Sequence, residues 1–451
     1  MSASRRPEGR AALGLLELIE MGVGGMIGGG IFSVLGLAVS IAGAAAPYAF
    51  AIGSVIAFAA GYSYIRLALT YRDDGASFTY LERAFPHRLD IAGIAGWTIV
   101  VGYVGTLALY AFTFGAYGAD LLGKAGSGVV RMALSAAVLV FFLLVNLKGA
   151  RASGHAEDLV VYAKILLLGV FAAAGLSTID SGRLVPLTGA DFSAVLVAGA
   201  LIFVAYEGFE LITNAVCETR DPARNIPRGI YGSIVVTSVI YVVLAVVGVG
   251  NLGVAGLVKA EEYALAAAAY PVLGQAGVVL VGFAALLATA SAINATAFGA
   301  ARMMAEMAIE RRVPKAFSFR TRTDVPAAAL VVLIALAMAF ALAGRLEVIA
   351  AFASMTFLIV SMAITVANIA LRAETKSRLS LCLAGLVLMA ATAVLLAVHL
   401  ARTDPATLAW IGAIYAAVVL GELAYGRHAP VSLGGRDRPA ARRGNAPPRR
   451  R

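Results

Sequence analysis

Apolar runs of about 20 residues or more alternate with short polar connectors along most of the chain. A hydrocarbon core of roughly 30 Å takes about 20 residues of helix to cross. Barrel strands would instead alternate apolar and polar positions over about ten residues, and these runs show no such alternation. Lipid offers the backbone no hydrogen-bond partner, so the runs are expected to be helical. They predict twelve spans, at 16–41, 46–70, 91–122, 129–147, 157–179, 193–217, 229–250, 274–303, 326–343, 347–371, 379–400 and 407–425. The first run follows Arg5, Arg6 and Arg10 but is far longer than the apolar core of a cleaved leader, and is assigned as helix 1. The amphipathic stretch Ser77–Phe85 predicts a helix along the interface. Asn251–Pro271 is the longest outer connector, and its VKAEEYALAAAA reads as helical. Residues 426–451, rich in Arg, Pro and Gly without an apolar period, predict a disordered tail.

Composition agrees with an integral membrane protein: 61% of the 451 residues are hydrophobic and 14% charged, against roughly a quarter charged in soluble chains. The net charge of +10 would suit a nucleic-acid binder, but its distribution argues otherwise. With the N-terminus inside, 29 of the 36 Lys and Arg fall on the cytoplasmic side and six outside, and Lys164 lies within a span. That asymmetry follows the positive-inside rule and puts both termini in the cytoplasm of a cell or inner membrane. The eight arginines from Arg427 to Arg451 either touch anionic lipid heads or only anchor this topology. Thirty of the 36 basic residues are Arg, which together with abundant Ala points to a GC-rich prokaryotic genome. Cys217 and Cys382 form no C-x-x-C pair, and the four histidines form no metal-binding pattern. No metal, cofactor or enzymatic nucleophile–base pair is expected.

Two spans carry sequences that helices tolerate poorly. Span 1 holds six glycines in the eleven residues Gly22–Phe32, each costing a helix about 1 kcal/mol relative to alanine. Gly24–Gly28 and Gly25–Gly29 match a close-packing pattern. The run Gly28-Gly29-Gly30 is too dense for packing alone and predicts an unwound break. Span 6 holds Phe203-Val204-Ala205-Tyr206-Glu207-Gly208-Phe209-Glu210, two carboxylates and a glycine in apolar surroundings, which implies a cavity. Broken helices in corresponding positions of two halves point to inverted repeats with a binding site between them. A half-helix N-terminus suits a carboxylate, and freed carbonyls suit an ammonium. A zwitterionic amino acid carries both.

Lys164 is one cation inside span 5. It either snorkels to the cytoplasmic edge or is buried as a proton-linked group, the reading favoured here. In span 8, Ser291, Asn294 and Thr296 either face Lys164 and helix 1 or bond between helices. Tyr103 in span 3 either packs or approaches the substrate carboxylate.

The segments GVGGMIGGGIF, FVAYEGFELITNAVCETRDPARNIPRGIY and GFAALLATASAINATAFGAARMMAEMAIERRVP resemble the amino acid–polyamine–organocation superfamily, most nearly its prokaryotic broad-specificity, proton-coupled amino acid transporters. The resemblance implies the all-α leucine-transporter fold with discontinuous helices 1 and 6. Its two five-helix repeats would be 16–179 and 193–371, followed by helices 11 and 12 at 379–425 and preceded by a cytoplasmic segment 1–15. It implies that Gly28, Gly29, Gly30 and Ile31 bind the substrate carboxylate. Phe203, Tyr206, Glu207 and Gly208 would contact the amino group and side chain, with an aromatic gate near Phe203. The ammonium of Lys164 would take the place of a sodium ion. Glu207 stands at a usually apolar position, so it either favours a cationic side chain or hydrogen-bonds within the scaffold. Glu210 matches an acidic position, with a structural or proton-sensing role. The implied function is H+-coupled amino acid symport by alternating access. Na+-independent exchange of amino acids or polyamines, or a sensor that binds without flux, are the alternatives.

Overall fold

The computed structural model describes residues 13–72, 76–86, 89–149, 154–184, 191–309, 313–321 and 325–426. The basic tail expected beyond residue 426 and most of the segment 1–15 lie outside them. Helix fills every predicted apolar segment. The chain runs α1 (Leu15–Met26), α2 (Gly30–Ala42), α3 (Ala46–Tyr71), the short α4 (Ala76–Ala84), α5 (Leu89–Leu121), α6 (Gly128–Leu147), α7 (Gly154–Leu176) and α8 (Phe192–Leu201). A 3₁₀ segment, Phe203–Glu218, follows. Then come α9 (Pro222–Ala260), α10 (Ala264–Ile309), α11 (Ala327–Ala343), α12 (Leu346–Ala370), the single turn α13 (Arg372–Thr375), α14 (Leu379–Thr403) and α15 (Pro405–Gly426).

Both predicted interruptions are present. Span 1 is divided into α1 and α2 by Ile27-Gly28-Gly29. Span 6 bends by 44° between α8 and the 3₁₀ segment. Asp191 caps α8, its carboxylate accepting from the Ser193 N–H at 2.9 Å. The connector Asn251–Pro271 is largely helical, with a turn at Gly253 (φ 78°) and another just past it at Gly274 (φ 61°), a backbone geometry that glycine adopts without strain.

Among the described residues, eight helical stretches are long and apolar enough to cross a membrane, or nine if the bent pair counts as one. The inner helices form two groups. α1, α2, α3, the 3₁₀ segment and α9 pack on one another, while α5 packs against α6, α10, α11 and α12. α7 lies against α10, α9 and α1. The outer helices α6, α14 and α15 leave large apolar side chains uncovered, among them Phe141, Leu144, Val387, Val394 and Trp410. So much bare apolar surface has its natural solvent in lipid tails.

Where α1 crosses the 3₁₀ segment, two glycines bring the backbones together. A Cβ on Gly25 would lie 3.0 Å from the Gly208 carbonyl oxygen, and one on Gly208 would overlap the backbone of Gly25 and Met26. Beyond the other end of the same pair, Leu13 N–H donates to Glu218 O (2.9 Å) and Arg220 N–H to Leu13 O (2.8 Å). Half-helix and 3₁₀ segment are therefore tied at both ends.

Gly208→Val tests this crossing, because backbone cannot yield as a side chain does. It should lower thermal stability in detergent by about 1–3 kcal/mol or more. Gly412→Ala on α15, with nothing within 4 Å of its added methyl, should be neutral or slightly stabilising. Equal melting temperatures for Gly208→Val and the parent would contradict the close approach.

Candidate functional site

A helix that stops leaves its last four carbonyls without intrahelical donors. At the end of α1 all four have partners. Val23 O accepts from Ile27 N–H at 2.8 Å and Gly25 O from Gly28 N–H at 3.3 Å. Gly24 O accepts from the Lys164 ammonium at 2.7 Å, and Met26 O from the Tyr241 hydroxyl at 2.6 Å. Lys164 is 0% exposed, so it does not snorkel. Val161, one turn before it on α7, packs over Gly24 so closely that a Cβ there would lie 2.9 Å from its methyl carbon. The missing side chain at Gly24 lets α7 approach until the ammonium meets the carbonyl. A cation at a helix C-terminus also interacts favourably with the helix dipole.

The bend at span 6 frees another set. The Ser354 hydroxyl on α12 donates to Leu201 O and accepts from Val204 N–H at 3.0 Å. Ala205 O lies 3.1 Å from the Tyr241 hydroxyl. The one hydroxyl of Tyr241 thus sits between Met26 O of the first break and Ala205 O of the second.

A cavity of about 320 Å³ opens between the two helix groups. α1 supplies Glu17, Glu20, Met21, Gly24 and Gly25, and Leu13 precedes them. α5 supplies Tyr103, Thr106 and Tyr110, and α7 supplies Val161. The 3₁₀ segment supplies Glu207, Gly208, Glu210 and Leu211, and α10 supplies Ser291, Ala292, Ala295 and Thr296. Glu210 is 9% exposed and accepts from Tyr64 at 3.1 Å and Tyr103 at 3.2 Å. Glu207 reaches the cavity, and its Oε1 is enclosed without a hydrogen-bond partner.

Of the residues expected from sequence, Tyr103, Glu207, Gly208, Glu210, Ser291 and Thr296 meet at this cavity. Gly28, Gly29, Gly30 and Ile31 are buried beside it. A Cβ on Gly29 would overlap the Tyr110 ring, one on Gly28 would lie 2.6 Å from Ala292 Cβ, and one on Gly30 would overlap the Tyr241 hydroxyl. Phe203 is buried in the core. Tyr206 turns to α3, donating to Phe50 O at 2.8 Å. Asn294 points to α6, accepting from Asn146 at 2.9 Å. Lys164 stands behind Gly24, outside the lining. The sequence reading missed Tyr241, Ser354, Tyr64 and Tyr110. For the tyrosines the one available signal was a hydroxyl in an apolar span, which needs a partner when buried. Glu17 and Glu20 were visible as carboxylates inside a predicted span and were passed over.

The profile of the amino acid permease family matches residues 13–421. The chain belongs to that family. The permease is 33% identical over 368 residues to an uncharacterized protein of Methanocaldococcus jannaschii, with 81% of this chain and 84% of that protein covered. It is 32% identical over 391 residues to the inner membrane transport protein YbaT of Escherichia coli, covering 84% of the permease and 88% of YbaT. The branched-chain amino acid permease BcaP of Bacillus subtilis is 27% identical over 330 residues, covering 68% and 69%. The permease is thus a multi-pass membrane transporter of amino acids and not an enzyme.

Tyr241→Phe should strip two buried carbonyls of their shared donor at little change in volume. The expected loss is about 1–3 kcal/mol, read as a lower melting temperature in detergent. An unchanged melting temperature would show that the breaks do not depend on this hydroxyl.

Proposed function

We propose that the permease is a secondary active transporter that couples amino acid entry to protons, by alternating access at the cavity between the broken helices. The observation that carries this reading is the Lys164 ammonium on Gly24 O, at the end of α1 and directly behind the cavity wall. A fixed cation there stabilises the helix terminus without a metal ion. Protonated, the ammonium donates to that carbonyl with full charge; deprotonated, it loses the charge that favours the contact. The position of α1 then follows the protonation of Lys164, which links proton movement to opening of the cavity.

The arrangement proposed around this site is twelve spans, with five-helix repeats at 16–179 and 193–371 and helices 11 and 12 at 379–425. Two stretches of 42 and 88 residues, Gly30–Tyr71 and Pro222–Ile309, support this count. At 1.5 Å per residue they would be roughly 60 and 130 Å long if straight, and turns at Gly43, Gly253 and Gly274 divide them. The charge asymmetry of the connectors supports cytoplasmic termini. On that orientation the cavity, which reaches Leu13 and Glu17, faces the cytoplasm.

Proteoliposomes assayed without Na+ test the coupling. A labelled amino acid panel should accumulate only with an inward proton gradient, and Lys164→Ala should abolish accumulation while keeping counterflow exchange. Uptake indifferent to the gradient but dependent on preloading would replace symport with exchange, leaving Lys164 a structural cation.

A further inference from the structure

Among the described residues, the cavity wall holds four carboxylates, Glu17, Glu20, Glu207 and Glu210, and no Lys, Arg or His. Lys164 is outside that lining and donates to Gly24 O from behind it. A neutral zwitterion needs no such excess of negative charge. An acceptor buried without a donor costs free energy comparable to a lost hydrogen bond, and more when it is charged.

Three of the four carboxylates already have partners. Glu17 accepts from Gly14 N–H at 3.1 Å, Glu20 accepts from the Tyr162 hydroxyl, and Glu210 accepts from two tyrosines. Glu207 is the exception, with Oε1 enclosed and unpartnered. It lies on the 3₁₀ segment past the bend of span 6, one residue before the Gly208 contact with α1, so a group bound to it would also sense the crossing of the two broken helices.

We propose that the permease selects amino acids with a cationic side chain, and that Glu207 is the specificity-determining residue that receives the side-chain ammonium. This rests on the reading of the cavity as the amino acid site. The bound cation pairs with the Glu207 carboxylate from the cavity side and offsets the negative wall. An aliphatic stem of four carbons lies against Leu211, Ala292 and Ala295, the apolar part of the lining. A neutral aliphatic side chain of the same length would leave Glu207 unpaired.

Equilibrium binding of lysine and norleucine to the purified full chain in detergent tests this, since norleucine keeps the stem and lacks the ammonium. Lysine should bind roughly ten- to hundredfold more tightly, as expected for a hydrogen bond to a charged group. Glu207→Gln should bring the two affinities together, and Glu207→Asp should restore part of the difference. Equal binding of lysine and norleucine to the parent would overturn the cationic selectivity and leave the amino acid site standing. A preference for lysine that survives Glu207→Gln would overturn the role of Glu207. Binding of neither would overturn this proposal and the reading of the cavity together. None of these outcomes depends on proton coupling.

Discussion

In hydrocarbon an unpaired peptide group costs several kcal/mol, and breaking two helices frees several such groups at once. This requirement organises the permease. The carbonyls at the end of α1 are met by Ile27, Gly28, Lys164 and Tyr241, and the groups freed at span 6 by Ser354 and Tyr241. Each outside partner belongs to a different helix: α7 gives the ammonium, α9 the phenol and α12 the serine. The breaks therefore exist only because three other helices deliver donors to them. Any motion of α1 or of the 3₁₀ segment has to exchange these contacts.

Glycine acts here by what it lets approach. Gly24 admits α7, Gly25 and Gly208 admit each other's backbone, and Gly29 admits the Tyr110 ring. The dense glycine run thus answers to both of its sequence readings. Its last part contains the break, while Gly24 and Gly25 pack against neighbouring elements. The charge in the wall has a similar economy. Tyrosine hydroxyls from α3 and α5 hold Glu210 in place, while Glu207, three residues earlier, lines the cavity with its Oε1 enclosed and unpartnered.

The helices were legible because apolar length is a local property, and helix covers the predicted apolar segments with ends differing by a few residues in most cases. The breaks were legible because six glycines and two carboxylates violate local helix rules. The contacts around them were not. Tyr241 lies 215 residues from Met26 in sequence, and Ser354 lies 150 from Val204. No periodicity connects positions so far apart. The same limit explains why Gly28 to Ile31 could be expected at the cavity yet lie buried beside it: Tyr110 and Ala292 arrive from other helices, and only the folded arrangement shows which face of the break they cover. Tyr206 illustrates the local version. It is three residues from Phe203 and one from Glu207, but the bend turns its hydroxyl to Phe50 on α3.

If the amino acid sits in the cavity between the two breaks, bound substrate should shield the side chains that line it. Ser291 lines it from α10, and Ser291→Cys, with Cys217 and Cys382 replaced by serine, places one reactive thiol in its wall. Its labelling rate by a small maleimide should fall several-fold when a transported amino acid is added at saturating concentration. A labelling rate unchanged by every amino acid that the protein transports would contradict the account, because the substrate would then bind elsewhere.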